Sequence, residues 1–171
     1  MGENLDVPGR MAVRTPMQWS TAENGGFSTA PADRLPAPVV EGGYAPEFVN
    51  VEAQRRDPDS LLSFVTLLAR RYRECPELGW GQFAVLEQPH AQVLAHSVTW
   101  DAACLVALHN FADTAVTVPV ALPDLPEGTR LADLLVDGSH DVGEDGTVEV
   151  PLEAYGFRWL RVVRPGDRRL V

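Results

Sequence analysis

The sequence predicts a mainly β protein in which an antiparallel β-sandwich follows one helix and a long irregular segment. Short apolar runs separated by turn residues fill the chain from residue 79 to residue 171. An amphipathic stretch with helix-capping residues precedes them, and residues 1–56 show neither a helical nor a strand period. Because these periods are the main sequence signals of secondary structure, they divide the chain into three parts.

The second half of the chain contains seven candidate strands. Val116, Val118 and Val120 alternate with more polar neighbours, which is typical of a half-buried strand. Asp137-Gly138 and Asp145-Gly146 are dipeptides that favour tight hairpin turns. Several short strands at this spacing predict a sandwich. The candidates are Gln82–Leu86, Gln92–Trp100, Cys104–Phe111, Thr114–Val120, Arg130–Val136, Thr147–Leu152 and Phe157–Val163.

One helix is predicted over residues 57–75. Asp57 suits the N-cap and Pro58 the first helical position, and three arginines near the end interact favourably with the helix dipole. The helix is expected to end near Cys75-Pro76. Its apolar positions span roughly 220° of the circumference at 100° per residue, so it needs cover on two sides. These positions are Leu61, Leu62, Phe64, Val65, Leu67, Leu68, Ala69 and Tyr72.

The first 56 residues are predicted to form one long irregular segment. Prolines and glycines interrupt every candidate helix or strand there. Loops longer than roughly 15 residues are uncommon in a compact domain. We therefore expect this segment either to be functional or to lie against polypeptide outside this chain.

Composition restricts the classes of partner. The 171 residues carry 14 arginines or lysines and 24 acidic residues, and 14 − 24 gives a net charge of −10. This charge argues against nucleic acid or an anionic membrane as a partner. With 45% hydrophobic and 22% charged residues the chain is typical of globular proteins. It has no long apolar run and no basic, apolar leader at its start, so a cytoplasmic location is expected. Cys75 and Cys104 are expected to be free and buried.

Three motifs in the first half resemble one enzyme family. They are Gly2–Arg10, the run from Arg14 through Thr15-Pro16-Met17-Gln18-Trp19 to Ser28, and Asn50–Leu62. In this order they resemble glycoside hydrolase family 13, the α-amylase clan, and within it trehalose synthases and α-glucosidases. The Arg-Thr-Pro-Met-Gln-Trp run is the most specific of them. Val93–His96 and Leu108–Phe111 resemble, more weakly, the C-terminal β domain of that family.

The resemblance implies the position of each part in the family's architecture. Residues 1–56 would be the eighth βα loop of a (β/α)8 barrel and 57–75 its eighth helix, so that residues 1–78 are the end of the barrel. Residues 79–171 would be the sandwich called domain C. The family's catalytic carboxylates lie on earlier barrel strands, so the resemblance implies that this chain holds no catalytic residue. No metal site and no cofactor are expected either. The resemblance also implies an α-glucosyl saccharide as the substrate of a complete barrel.

The resemblance places Arg14, Gln18 and Trp19 at the mouth of the active site as candidate substrate-binding residues. Arginine and glutamine can donate hydrogen bonds to sugar hydroxyls, and an indole can stack on a pyranose ring. In the alternative interpretation Arg14 ties this loop to a neighbouring barrel loop and Trp19 anchors it by apolar packing. Both interpretations require the rest of the barrel.

Other candidate sites have simpler explanations. His140-Asp141 is expected to lie in a solvated turn, and His90, His96 and His109 lack the spacing of metal ligands on a helix. Glu144 and Asp145 lack the repeated ligand spacing of a calcium loop and indicate a charged hairpin tip. Four aromatic residues could form a sugar-binding platform, but we expect them to pack in the core instead. They are Trp80, Trp100, Phe157 and Trp159.

Three functions remain open from the sequence. The first is the C-terminal portion of an α-glucan- or maltose-acting enzyme, inactive alone. The second is a free-standing carbohydrate-binding or interaction module, which requires an exposed aromatic row on the sandwich. The third is a subunit of a split enzyme that docks onto a barrel-bearing polypeptide through Leu61, Phe64, Val65 and Leu68, which requires a large exposed apolar patch.

Overall fold

The computed structural model describes residues 8–122 and 125–167. The chain forms two compact units, an N-terminal unit of residues 1–66 and a C-terminal unit of residues 67–171. One helix, α2 (Leu61–Glu74), runs through the boundary between them. The division into a barrel end at residues 1–78 and a sandwich at 79–171 stays a prediction. Most of the Gly2–Arg10 motif lies outside the described residues.

The C-terminal unit is a mainly antiparallel β structure, as the sequence predicts. The strands are β1 (Gln82–Leu86), β2 (Val93–Trp100), β3 (Ala103–Asn110), β4 (Val116–Ala121), β5 (Arg130–Asp133), β6 (Ser139–Asp141), β7 (Thr147–Leu152) and β8 (Phe157–Val163). A six-stranded sheet has the order β1-β2-β3-β8-β5-β6, and β4 pairs with β7 in a two-stranded sheet. All the pairings are antiparallel.

The main core lies between the two sheets. Alternate residues of β4 and β7 point inward, because side chains of a strand alternate between its faces. They meet the inward residues of the larger sheet, and the resulting cluster is almost fully buried. This cluster supplies the hydrophobic burial that stabilises the unit. It contains Ala95, Val106, Leu108, Val118, Val120, Leu122, Leu131, Val148, Val150, Leu152, Leu160 and Val162.

A second cluster covers part of the outer face of the six-stranded sheet. Here the short helix α3 (Pro76–Trp80) packs on β2 and β3. The fully buried carboxylate of Glu77 forms an ion pair with Arg161 of β8, at 3.0 Å between Nε and Oε1. The Arg161 Nη2 also donates a hydrogen bond to Oε2 at 3.2 Å. This two-point contact fixes α3 on the sheet. The cluster contains Cys75, Val98, Leu105, Ala107 and Leu134, with Leu78 and Trp159 beside it.

The described residues of the N-terminal unit form short helices and no strand. Its longest element besides α2 is α1 (Val51–Arg56), capped by the Asn50 side chain, which accepts a hydrogen bond from the Ala53 amide. Asn50 also donates to the Pro46 carbonyl at 2.8 Å. The prediction of no helix within residues 1–56 was wrong here, because a good N-cap stabilises even a short helix. The 3₁₀ helices of this unit are Gly9–Val13, Glu23–Gly26, Ala32–Arg34 and Gly42–Tyr44.

Helix α2 begins at Leu61, three residues after Pro58, the first helical position that the sequence predicted. Asp57 closes α1 instead, where its amide bonds to the Gln54 carbonyl. Ser60 takes the capping position, since its hydroxyl accepts the Ser63 amide at 3.2 Å. The predicted end was right, because α2 stops at Glu74 and α3 follows. No residue of α2 is buried, and Leu61 is 71% exposed.

The strand predictions were right in place and off by a few residues at several ends. The bounds of three strands match those predicted, and the rest shift at one or both ends. The structure adds β6, which pairs with β5 through His140 and Leu131. The solvated turn expected at His140-Asp141 was wrong, because both residues lie in β6. Three polar residues show too little alternation for a strand to be predicted.

No helix among the described residues has the length and apolar content needed to cross a membrane.

Candidate functional site

The backbone of Gln18 and Trp19 is bound to the start of helix α1. The Val51 amide donates to the Gln18 carbonyl and the Glu52 amide to the Trp19 carbonyl, each at 3.0 Å. These are amides of the first helical turn, which have no partner inside a helix. The Trp19 amide in turn donates to the Gly25 carbonyl at 2.7 Å. The backbone of Gln18 and Trp19 is therefore fixed to α1 and to the following turn.

The Gln18 side chain is used inside the N-terminal unit. Its Nε2 donates to the Tyr44 carbonyl at 3.0 Å and makes a second, short hydrogen bond to the Val49 carbonyl. A primary amide has two hydrogens to donate, so both are taken. Its Oε1 is buried and has no hydrogen-bond partner among the described residues. The geometry gives Gln18 a role in holding the loop together.

Arg14 and Trp19 face outward from the same segment. Trp19 is 47% exposed, and Arg14 is also exposed. The Arg14 guanidinium makes no hydrogen bond or ion pair with any residue in the described part of the chain. Because both side chains are exposed, each can contact a ligand. Whether they bind substrate stays a prediction.

An open cavity of about 630 Å³ lies beside this segment in the N-terminal unit. Its walls are residues 21–25, 32, 35, 38–42 and 45–47, among which Glu23, Glu41 and Glu47 bring carboxylates. None of the three candidate residues lines it. The cavity and the Arg14–Trp19 segment are therefore separate features.

A row of rings crosses the outer face of the six-stranded sheet. Phe83 of β1 lies 5.0 Å from His96 of β2, measured between ring centroids. His96 stacks on His109 of β3 at 5.9 Å, with only 4° between the planes. His109 continues the row to Phe157 of β8 and to Phe111, each at 6.4 Å. Four neighbouring strands thus contribute to one ring row, Phe83–His96–His109–Phe157.

The environment of the two histidines favours their neutral form. Burial lowers the pKa of His96. Burial also lowers the pKa of His109, and a charge on His96 would lower it further. The Nδ1 of His96 is buried and has no hydrogen-bond partner among the described residues. An imidazolium at this place would be poorly solvated and would repel its neighbour.

The other polar candidates do not converge on a reactive centre. No three His, Cys, Asp or Glu side chains lie close enough to share a metal ion within the described ranges. His90 contacts the Thr117 carbonyl at 3.1 Å, and Asp145 accepts the Thr147 amide in a turn, as expected for a hairpin tip. The cysteines are free, but Cys104 is only half-buried. Burial raises the pKa of the Cys75 thiol to about 11, which makes it a poor nucleophile.

The aromatic candidates divide into two groups. Trp80 is 78% and Trp100 45% exposed, so the expectation that they pack in the core was wrong. Trp159 packs against the second cluster, and Phe157 joins the ring row. Sequence reasoning missed the row itself. The alternation of β2 and β3 shows which residues share a face, but only the pairing register brings His96 and His109 together.

The chain is similar to curated enzymes along almost its whole length. It is 34% identical over 172 aligned residues to the trehalose synthase/amylase TreS of Mycobacterium tuberculosis, with 95% of this chain and 28% of that protein covered. It is 36% identical over 176 aligned residues to the trehalose synthase of a Pimelobacter species, covering 96% of this chain and 30% of that protein. The chain thus spans less than a third of the length of these relatives.

Domain and structure comparisons agree with these similarities. Residues 103–161 match the family of C-terminal domains of sucrose hydrolase-like proteins. The crystal structure of the trehalulose synthase MutB from Pseudomonas mesoacidophila superposes with a TM-score of 0.61 at 25% identity, covering 88% of this chain and 25% of that one. The chain therefore belongs to glycoside hydrolase family 13, the α-amylase family, and its β structure corresponds to the C-terminal domain of these enzymes.

Proposed function

We propose that this chain is the C-terminal portion of an enzyme that hydrolyses or transfers α-glucosyl groups of maltose or a related α-glucan, and that it is inactive alone. The observation that carries the proposal is the extent of the match to trehalose synthases. Nearly the whole chain aligns, yet it corresponds to only 28–30% of each relative. The remaining part of such an enzyme supplies the barrel and its chemistry.

In this proposal the Arg14–Trp19 segment forms part of the sugar site. Arg14 donates hydrogen bonds to sugar hydroxyls and Trp19 stacks on a ring. Both side chains are exposed, and the segment is bonded to α1 at Gln18 and Trp19. Gln18 contributes as a positioning residue through its two bonds to backbone carbonyls. A fixed backbone with exposed donors supports such a role, because precise placement lowers the entropic cost of binding.

The proposal assigns the catalytic carboxyl groups to polypeptide outside this chain. Retaining chemistry needs a nucleophilic carboxylate and an acid about 5 Å apart. The nearby carboxylates have other partners, since Glu52 forms an exposed ion pair with Arg56 and Asp57 accepts the Asp59 amide. This distribution supports a binding role for the N-terminal unit rather than a catalytic one.

A barrel-bearing polypeptide would also cover helix α2. Leu61 and Val65 lie one turn apart on its first half and are 71% and 51% exposed. Apolar residues at this spacing form one face of a helix. Their exposure supports both the C-terminal portion and the subunit of a split enzyme, which differ only in whether the barrel is encoded in the same chain.

The free-standing carbohydrate-binding module is the alternative, and the ring row is the feature that it would use. In the row the stacked rings turn their faces toward one another, whereas a sugar platform needs free faces. The two exposed tryptophans of the C-terminal unit, Trp80 and Trp100, would have to supply it. Calorimetric titration of the chain with maltooligosaccharides tests this alternative. We expect no saturable heat, and binding that Trp80→Ala or Trp100→Ala abolishes would favour the module.

A chimeric enzyme tests the proposed sugar site. This chain replaces the corresponding residues of the M. tuberculosis relative, and turnover of maltose and trehalose is measured for Arg14→Ala and Trp19→Ala. We expect kcat/KM to fall at least about tenfold for each, which corresponds to about 1.4 kcal/mol. Arg34→Ala, an exposed arginine of the same unit, is the matched control and should leave kcat/KM unchanged. Equal values for all three variants would refute the sugar-binding role.

A further inference from the structure

We propose that the free edge of strand β1 pairs with β1 of a second copy of this chain, antiparallel and about a two-fold axis at Ala84. Strand β1 is the end strand of the six-stranded sheet, and β2 occupies one of its two edges. No described residue pairs with the other edge. The backbone groups of that edge can therefore bond to another strand. This proposal does not depend on the proposed function.

The edge lacks the charges, prolines and bulges that protect strands from pairing. Residues 78–86 include no charged residue and no proline. Four consecutive residues, Gln82 to Val85, are exposed, and Phe83 and Val85 are 61% and 64% exposed on the same face. Natural edge strands usually carry a charge, a proline or a bulge. The lack of these features makes the edge competent to pair.

Antiparallel pairing about Ala84 makes this strand complementary to itself. Ala84 then faces Ala84, and Phe83 of each copy faces Val85 of the other. Aromatic and β-branched residues are a favourable cross-strand pair. Gln82 faces Leu86, and Glu87 faces Gly81, so no like charges meet. A chain with a net charge of −10 repels its copies over most of its surface, and this uncharged segment is a place where two copies can approach.

Sedimentation velocity of the full chain over a dilution series tests the proposal. We expect a reversible, concentration-dependent dimer, because a five-residue strand buries a small interface. Val85→Lys should shift the distribution to monomer, since the two lysines disrupt both Phe83 contacts. Val136→Lys changes an apolar residue of similar exposure, 51%, away from the edge and should leave the dimer intact. Urea denaturation verifies that each variant is folded.

A charge pair tests the register. In the double variant Phe83→Glu/Val85→Lys, each glutamate faces a lysine of the other copy, so dimerisation should return relative to Val85→Lys and weaken with added salt. A chain that is monomeric at every concentration would overturn the proposal, as would self-association that Val85→Lys leaves unchanged. A double variant that stays monomeric would overturn the register.

Discussion

The two units of this protein are stabilised in different ways. Every buried hydrophobic residue in the described part of the chain belongs to the C-terminal unit. Among the described residues of the N-terminal unit, the buried ones are Pro16, Gly25, Pro46, Asn50 and Ser60. Several of its large apolar side chains are exposed instead. Phe48 is 71% exposed and Trp19 47%.

The difference shows which part can hold its fold by hydrophobic burial. The C-terminal unit removes a large apolar cluster from water, which is the dominant favourable contribution to folding. The N-terminal unit depends on caps and backbone hydrogen bonds, and each contributes only about 1 kcal/mol. A unit of this kind fits the proposal that further polypeptide covers this segment.

Removing the buried carboxylate of the C-terminal unit should have the largest effect. Glu77→Ala leaves Arg161, whose side chain is only 14% exposed, without its partner. We expect a loss of about 3–5 kcal/mol in the free energy of unfolding, measured by urea denaturation. Glu149→Ala, an exposed glutamate of β7, is the control and should change little. A loss of less than about 1 kcal/mol for Glu77→Ala would show that α3 is held by other contacts.

A cavity in the sandwich core should have the next largest effect. Leu160 is fully buried between the sheets. Leu160→Ala should therefore cost about 2–5 kcal/mol of unfolding free energy, through lost burial and the remaining cavity. Phe48→Ala removes a larger side chain from the N-terminal unit but should change the free energy by less than about 0.5 kcal/mol, because Phe48 is exposed. Similar losses for both variants would contradict the contrast between the units.

Loss of a helix cap should affect the N-terminal unit alone. Asn50→Ala removes the acceptor of the Ala53 amide and the donor to the Pro46 carbonyl. We expect about 1 kcal/mol of local destabilisation, seen as faster hydrogen exchange of the α1 amides. The exchange of β3 and β8 amides should not change. Faster exchange in both units would indicate that they unfold together.

Acidification should have the smallest effect. Burial lowers the pKa of His96 and His109, so the unfolded chain binds more protons below the ordinary histidine pKa of about 6.5. This contribution to stability is complete above that pH and is lost as the pH falls from it toward the lowered pKa values. His96→Gln should reduce the slope of the urea midpoint against pH in this window. A slope that His96→Gln leaves unchanged would assign the pH dependence to other groups.

Much of the β structure could be predicted because its signals are local. The alternation of Val148, Val150 and Leu152 defines β7, whose observed bounds match the prediction. Helix α1 was missed among prolines and glycines, although Asn50 was a capping signal in the sequence. Asp57 was taken for the cap of α2 because a capping residue looks the same whether it begins one helix or ends another.

Less of the candidate site could be predicted, because its contacts join residues that are far apart in the sequence. The motif around Arg14 identified the family, but it did not show that the Gln18 amide bonds to the Tyr44 and Val49 carbonyls, which lie 26 and 31 residues away in the chain. The ring row depends likewise on pairing between β1, β2, β3 and β8. Long-range contacts of this kind are fixed by register and packing, which no short sequence window contains.

Turnover of maltose, trehalose and p-nitrophenyl α-glucoside by the purified, folded chain tests the central claim most directly. We expect no activity above a mock purification, because the catalytic carboxyl groups are assigned to polypeptide outside this chain. Activity that follows the chain through successive purification steps, and that Glu52→Gln or Asp57→Asn abolishes, would contradict this assignment and place a catalytic centre in the N-terminal unit.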